Sequence, residues 1–331
     1  MDLLHKGWFT EFSPDDHARM LRQQQQQSQT ENGTPEQNSA KSTTHSVHKQ
    51  SARSVDPLSL WSGQAFSFQV DEVLLDRQSP FQRIMMVKTL AVACKDNVIQ
   101  CTESDEFTYQ EMMSHVAMFS HPEPKKVLII GGGDGGCARE VLKHDSVEQV
   151  TLCEIDEEVI EASKKFLPKM AASFSHPKMN LFIGDGVKFL QKNAGIYDVI
   201  ITDSSDPIGP AESLFCDSYY ELLRNALTDR GVIISQAESI FLHLPLIKEM
   251  MTFSRAMFPS VAYGVCMVPT YPSGNIGFLV ACKNCAVDLQ RPLRRLTPAD
   301  IQKMNLRYYN SSVHEAAFRL PQFAADELQQ P

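Results

Sequence analysis

Four short stretches place acids or glycines where an apolar run has just ended. KVLIIGGGDGG runs from Lys126 to Gly136 and sets Asp134 among glycines, and QVTLCEID carries Glu154 at the end of its apolar run. MNLFIGDG closes on Asp185 and Gly186, and YDVIITDSSD runs straight into Asp203, Ser204, Ser205 and Asp206. Glycines let a backbone approach a ligand closely, and the helix they open presents free N–H groups. A G-x-G-x-x-G alone is weak evidence, and Asp134 would repel a pyrophosphate, so a dinucleotide is a poor fit. Glu154 follows Asp134 by about 20 residues, the spacing of an acid that bonds ribose hydroxyls. An oxygen of Asp185 suits an adenine amino group. Each acid also has a plainer reading. Glu154 can be a surface acid heading the next helix, Asp185 an N-cap, and DSSD a capped turn stopped by Pro207. Taken together on successive strand ends, they describe an adenosine pocket with no phosphate binder and an acidic mouth suited to a cation.

These residues need a frame, and the pattern supplies one. KKVLIIGGG, QVTLCEID, MNLFIGDG, YDVIITD and GVIIS read as strands. Between them CAREVLKHD, EEVIEASKKFL, VKFLQKN, the stretch around Ser218 to Leu227 and LPLIKEMMTFSRAMF read as helices. Such alternation means a parallel sheet covered on both faces, with ligands at the carboxyl ends of its strands. VAYGVCMV and IGFLVACK are expected to close the sheet as an antiparallel pair. Upstream, SFQVDEVLLDRQ and NVIQCTE alternate apolar and polar residues as short strands do. The fold class is therefore α/β, a doubly wound sheet with a small N-terminal β-strand domain over 1–121 and the larger domain over 122–331. Residues from about 13 to 56, with glutamines at Gln23 to Gln27 and no aromatic, read as a disordered insert.

The totals restrict the partners. With 331 residues, 43% hydrophobic and 21% charged, the chain has the composition of a soluble globular protein. A net charge of -9 argues against nucleic acid and for small cations. No membrane-length apolar run or leader-like start is present, so a cytoplasmic location is expected. The eight cysteines fit that compartment, and Cys282-x-x-Cys285, with no second pair, reads as a strand end and its turn rather than a zinc site. No metal is expected.

An acidic glycine loop with no basic residues around it suits a nucleoside whose sulfur is cationic, the S-adenosylmethionine type. KVLIIGGGDGG, CEIDEEVI, GDG, DVIITDSSDPIGPAESLF, PTYPSG and YYNSSVHEAAFRLP resemble the spermidine synthases, the polyamine aminopropyltransferases. GWF, LWSGQAF and IQCTESDEFTYQEMM extend the likeness over nearly the whole chain outside the insert. The resemblance implies a Rossmann-like (class I S-adenosylmethionine-type) domain carrying a small N-terminal β-hairpin domain, assembled as a homodimer. It implies aminopropyl transfer from decarboxylated S-adenosylmethionine, a co-substrate, to putrescine, with no other cofactor. By motif, Asp203 would be the general base, while Tyr109, Asp134, Ser204, Ser205, Asp206 and Tyr271 would hold the amines. Gln82, Gln100, Gln110, Glu154, Asp185 and Gly186 would hold the nucleoside, and Glu238 is a further candidate for the far amine.

One stretch departs from the family pattern. Where its members carry a strand-turn-strand like YGNvLvLDGviQ, this chain has KTLAVACKDNVIQ, about three residues shorter between Gln82 and Gln100, and Asp96-Asn97 in the turn. A non-catalytic paralogue and a diamine N-methyltransferase are the alternatives. The first draws on that hairpin, and Asp134 argues against the second. Acceptor preference among putrescine, cadaverine and spermidine is not legible in the residues.

Overall fold

The computed structural model describes residues 7–12, 64–88, 92–96, 98–207, 209–284 and 286–328, with the backbone alone for 92–95. The glutamine-rich insert lies outside the described residues. The chain divides into two compact units, Met1–Phe68 and Gln69–Pro331. In the first, β1 (Trp8–Phe12) pairs with β2 (Ala65–Gln69) as a two-stranded sheet, with the Thr10 and Ser67 hydroxyls 3.0 Å apart.

The second unit begins with an antiparallel meander of β3 (Glu72–Gln78), β4 (Arg83–Lys88), β5 (Val92–Lys95) and β6 (Val98–Thr102). SFQVDEVLLDRQ, read as one alternating stretch, is split between β2 and β3 around Val70 and Asp71. The shortened segment still pairs on both sides, with Ile84 opposite Lys95 and Lys95 opposite Val98. Asp96 makes the turn with φ +48°, a conformation that short polar residues tolerate better than most. Its Oδ1 accepts from the Arg83 N–H at 2.8 Å, tying the turn back to β4.

The main sheet holds β7 (Lys126–Gly131), β8 (Gln149–Glu154), β9 (Met179–Ile183), β10 (Tyr197–Asp203), β11 (Leu227–Gln236), β12 (Ser260–Met267) and β13 (Asn275–Cys282). Its order is β12-β13-β11-β10-β7-β8-β9, with β7 to β11 parallel and the last two strands antiparallel. The expected Rossmann-like frame is present. Val127, Ile129, Val199 and Ile201 bury into one core, and Leu128, Ile130, Ile200 and Ile233 into the other. Each such side chain stabilises the fold by about 1.5–3 kcal/mol, and burial on both faces explains why these strands read as unbroken apolar runs. Cys282 ends β13 as expected, whereas Cys285 lies outside the described residues.

Helix α1 (Glu106–Ser120) is buried at every position from Thr108 to Ser120. It packs on β10, β11 and on α2 (Gly136–Val141). It stops at His121, held extended at φ -112° and ψ 138° ahead of Pro122, which disfavours the helical region for its predecessor. The Glu111 carboxylate accepts the backbone N–H groups of Arg307, Tyr308 and Tyr309 at 2.9, 2.8 and 2.8 Å, fixing the YYN segment against this helix. The strand-to-strand helices include α3 (Glu157–Phe166), α4 (Pro168–Ala171), α5 (Gly186–Leu190), α6 (Asp217–Ala226) and α7 (Leu244–Met257).

Candidate active site

Strand order reverses between β7 and β10, and ligands of doubly wound sheets bind in the crevice at such a point. Here Gly131 of β7 stands opposite Asp203 of β10. Gly131 has φ +80°, and a Cβ on it would lie 2.1 Å from the Asp203 carbonyl oxygen, so no side chain fits. The next residue donates its N–H to the same oxygen at 2.9 Å. This backbone contact holds the glycine loop on the base of Asp203.

The acids then come together. Tyr109, from α1, donates its hydroxyl to Asp203 Oδ1 at 2.8 Å. Asp203 Oδ2 and the Ser204 hydroxyl are buried with no partner of hydrogen-bonding geometry. Burial pushes the Asp203 carboxyl above its ordinary range, with the Tyr109 hydroxyl and the Cys137 thiol opposing. Asp134 Oδ1 accepts from the Gly136 N–H at 2.5 Å and from Gln110 Nε2 at 3.0 Å. Burial and then the charge of Asp203 push Asp134 up to about 7, against the Gly136 N–H. The Tyr109 and Tyr271 rings lie 6.2 Å apart at 59°, an apolar wall between two hydroxyls. Both phenols are raised, by burial first, and Asp203 adds to each. Two acids facing one crevice repel unless a cation lies between them. With no cation between them, one of the pair keeps its proton more readily, which is the direction in which Asp134 is raised.

Glu154, buried at the end of β8, faces the same loop, since a Cβ on Gly133 would sit 2.9 Å from its Oε2. Its Oε1 accepts the Asp156 N–H at 3.0 Å. Gln82 donates to Asp156 Oδ2 at 2.7 Å, beside a 2.6 Å bond from Ser79, which brings the meander onto the start of α3. Asp185 caps α5, accepting from the Val187 and Lys188 N–H groups at 2.9 and 3.2 Å, with the Lys188 ammonium 3.5 Å from its other oxygen. The plain N-cap reading of Asp185 thus describes its contacts. A Cβ on Gly186 would press on Ile130 at 2.7 Å. Gln100, on β6, turns its amide to the Val98 carbonyl at 3.4 Å and offers its own carbonyl to the Tyr271 hydroxyl. Ser205 and Asp206 follow Asp203 at the strand mouth, both half-buried.

Glu238 sits further along, buried and held at φ +60°, an unusual conformation for a side chain of its size. Gln236 donates to it at 3.2 Å, and His243 Nδ1 lies 2.8 Å from its other oxygen. Burial works to keep His243 neutral, but Glu238 and Asp206 outweigh it and raise the imidazole above its ordinary value. Sequence reasoning missed three supports of the site. Asp156 was visible as an acid ahead of EEV, an N-cap pattern. Asp105 accepts from the Thr270 N–H and hydroxyl at 2.9 and 2.7 Å and so anchors the Tyr271 loop, a link across 165 positions with no local signal. Arg139, in the helix after the glycines, had no signal beyond its place there. Among the described residues no group of three His, Cys, Asp or Glu is arranged to hold a metal.

The chain matches two family models, a spermine/spermidine synthase domain over residues 106–291 and a spermidine synthase tetramerisation domain over 56–103. A spermidine synthase of Schizosaccharomyces pombe is 51% identical over 270 residues, covering 81% of this chain and 90% of that one. A spermine synthase of Saccharomyces cerevisiae is 45% identical over 272 residues, covering 79% and 90%. A crystal structure of a spermidine synthase in complex with the transition-state analogue AdoDATO matches with a TM-score of 0.75 at 39% identity. That match covers 81% of this chain and 92% of that one.

Proposed function

The chain belongs to the spermine and spermidine synthase family, and from that premise we propose how its own residues divide the work of aminopropyl transfer. The reaction moves an aminopropyl group from decarboxylated S-adenosylmethionine to putrescine, giving spermidine and 5′-methylthioadenosine. The observation that carries the residue assignment is Asp203: a half-buried carboxylate at the switch point, with Oδ1 held by Tyr109 and Oδ2 buried without a hydrogen-bond partner.

Putrescine arrives as a diammonium, and only a neutral amine attacks carbon. If its pKa is near that of lysine, about 10.4, neutralising one end at pH 7 costs roughly 4.6 kcal/mol. Asp203 is the general base: as the nitrogen lone pair forms its bond to the carbon beside sulfur, the carboxylate takes the proton. The C–S bond breaks with its electron pair passing to sulfur, and the sulfonium leaves as a neutral thioether. Positioning supplies most of the remaining acceleration, and well-oriented reactants can recover about 7–11 kcal/mol. Tyr109, Asp134, Ser204, Ser205, Asp206 and Tyr271 hold the amines. The tyrosine rings flank the methylenes and their hydroxyls orient nitrogen. Gln82, Gln100, Gln110, Glu154, Asp185 and Gly186 surround the nucleoside, with Glu154 on the ribose. The aminopropyl donor is a co-substrate, and no further cofactor takes part.

We also propose a cytoplasmic homodimer. No described helix is long and apolar enough to cross a membrane, and the matched tetramerisation model supports assembly of some order. The test of function is mass spectrometry of products from purified protein and putrescine, with decarboxylated S-adenosylmethionine in one reaction and S-adenosylmethionine in another. Spermidine in the first alone supports the reading. N-methylputrescine in the second, or no product in either, overturns it.

A further inference from the structure

A chain of polar contacts runs from the Asp134 carboxylate into the body of the protein, and the reaction as described makes no use of its inner end. Arg139 lies on α2, one turn after the glycine loop. Its guanidinium donates to both oxygens of Glu106, at 3.1 and 2.8 Å, and through Nε to Glu140 Oε1 at 2.9 Å. The same Nη2 that meets Glu106 also reaches Gln110 Oε1 at 3.1 Å. Gln110 is buried, and its other end, Nε2, donates to Asp134 Oδ1 at 3.0 Å with the Met170 sulfur at 3.3 Å.

A side-chain amide has an accepting oxygen at one end and a donating nitrogen at the other, while a guanidinium has donors only. Arg139 can therefore meet Gln110 only at the oxygen, which leaves the nitrogen for Asp134. With Arg139 gone, the oxygen end of the amide loses its donor, and only Asp134 and the weakly accepting Met170 sulfur still oppose a flip that would point the oxygen at the carboxylate and repel its ionised form. The amide also lies against the helix start, since a Cβ on Gly136 would fall 1.9 Å from Gln110. Neutralising Glu140 does not by itself require Arg139. Burial opposes ionisation of Glu140, yet His115 at 3.1 Å and Lys143 hold its carboxyl down at about 2. The fork toward Glu106 in turn fixes the guanidinium plane, as only a rigid bidentate donor can.

We propose that Arg139 is a positioning residue for the amine site: it locks the Gln110 amide with its nitrogen toward Asp134, and so keeps that carboxylate placed and ionisable for an ammonium group. This rests on the reading of Asp134 as an amine-holding residue. Beside burial, the groups acting on Asp134 are Asp203, Glu106, the Gly136 N–H, the Gln110 amide and Arg139 itself, and of these Arg139, the N–H and the amide nitrogen favour the charged form. Loss of Arg139 thus moves the ionisation of Asp134 to higher pH.

The experiment is putrescine binding to the full chain by calorimetry, from about pH 5.5 to 9 across the carboxyl and imidazole ranges, for wild type, R139Q, Q110A and the double variant, with thermal unfolding measured in parallel. R139Q is expected to bind roughly tenfold more weakly at neutral pH, with its acid limb moved upward, and R139K to recover part of the loss. The double variant should bind no worse than the weaker single within about twofold, as residues acting through one contact do. Wild-type affinity and acid limb in R139Q, or losses that multiply in the double variant, overturn the proposal even where R139Q is less stable. If R139Q does not fold, R139K against Q110A makes the same cycle. A wild type that binds putrescine but forms no spermidine overturns the functional reading alone, and the binding cycle still decides the role of Arg139.

Discussion

Asp134 and Asp203, both half-buried, share one crevice, and the consequences are measurable on each. Folding raises the Asp134 carboxyl to about 7, from an unfolded value near that of a free aspartate, about 3.9. A carboxyl raised in this way favours the folded state in its protonated form. Its contribution is fully present below about pH 4 and is lost as pH rises through about 7. Asn at 134 removes that penalty. Urea unfolding of ligand-free Asp134→Asn is expected to show about 1–2 kcal/mol more stability than wild type at pH 8, and no excess near pH 4. Putrescine should raise the melting temperature of wild type and leave that of the variant unchanged. A variant less stable than wild type at pH 8 would contradict the shared-crevice account. The same crevice explains why the DSSD stretch reads two ways in sequence. Ser204 and Asp203 carry unpartnered buried oxygens here, which a turn capping itself would have satisfied.

At the scale of elements, the site is an assembly of strand ends, one buried helix and one anchored loop. Asp105 joins the last two, accepting from Thr102 at 2.6 Å and from Thr270 twice, at the point where the meander hands over to α1. Asp105→Ala releases the loop that carries Tyr271. Steady-state kinetics should then show the KM for putrescine rising by roughly three- to tenfold, about 0.7–1.4 kcal/mol, with kcat changed less. An unchanged KM would mean that Tyr271 holds its place by packing alone. The strands and their order of function were legible because β7, β10 and β11 are buried on both faces and end in glycine or acid. The helix α1 was not, apart from its family likeness. Buried all round, it shows no apolar stripe of helical period, and its Gln110, Glu111 and His115 look like surface residues until their partners are known. Arg139 and Asp105 escaped for a related reason: each acts on a residue distant in sequence, and pairing of that kind leaves no mark on local pattern. Asp156 showed only its N-cap role there, not its bonds to Ser79 and Gln82. The shortened hairpin, which the departure from the family pattern put in question, is paired along its backbone on both sides.

The whole molecule adds a long-range field. A net charge of -9 draws a dication toward an acidic crevice, and salt weakens that attraction over about 8 Å at physiological ionic strength. Raising salt from roughly 0.02 to 0.3 M should lower kcat/KM for putrescine several-fold with little change in kcat, as expected of steering rather than chemistry. A kcat that falls in step would place the effect in the chemical step. In the proposed reading, the net charge, the parallel frame and the switch point at Gly131 and Asp203 all serve one event, the transfer of a proton from an attacking amine to Asp203. The most direct test of that claim is single-turnover kinetics of spermidine formation by wild type and Asp203→Asn with both substrates saturating. The account predicts a loss of about 10²–10⁴-fold in the chemical rate, as removal of a general base gives, with decarboxylated S-adenosylmethionine bound as tightly as before. A variant that turns over within a few-fold of wild type would show that the amine loses its proton elsewhere.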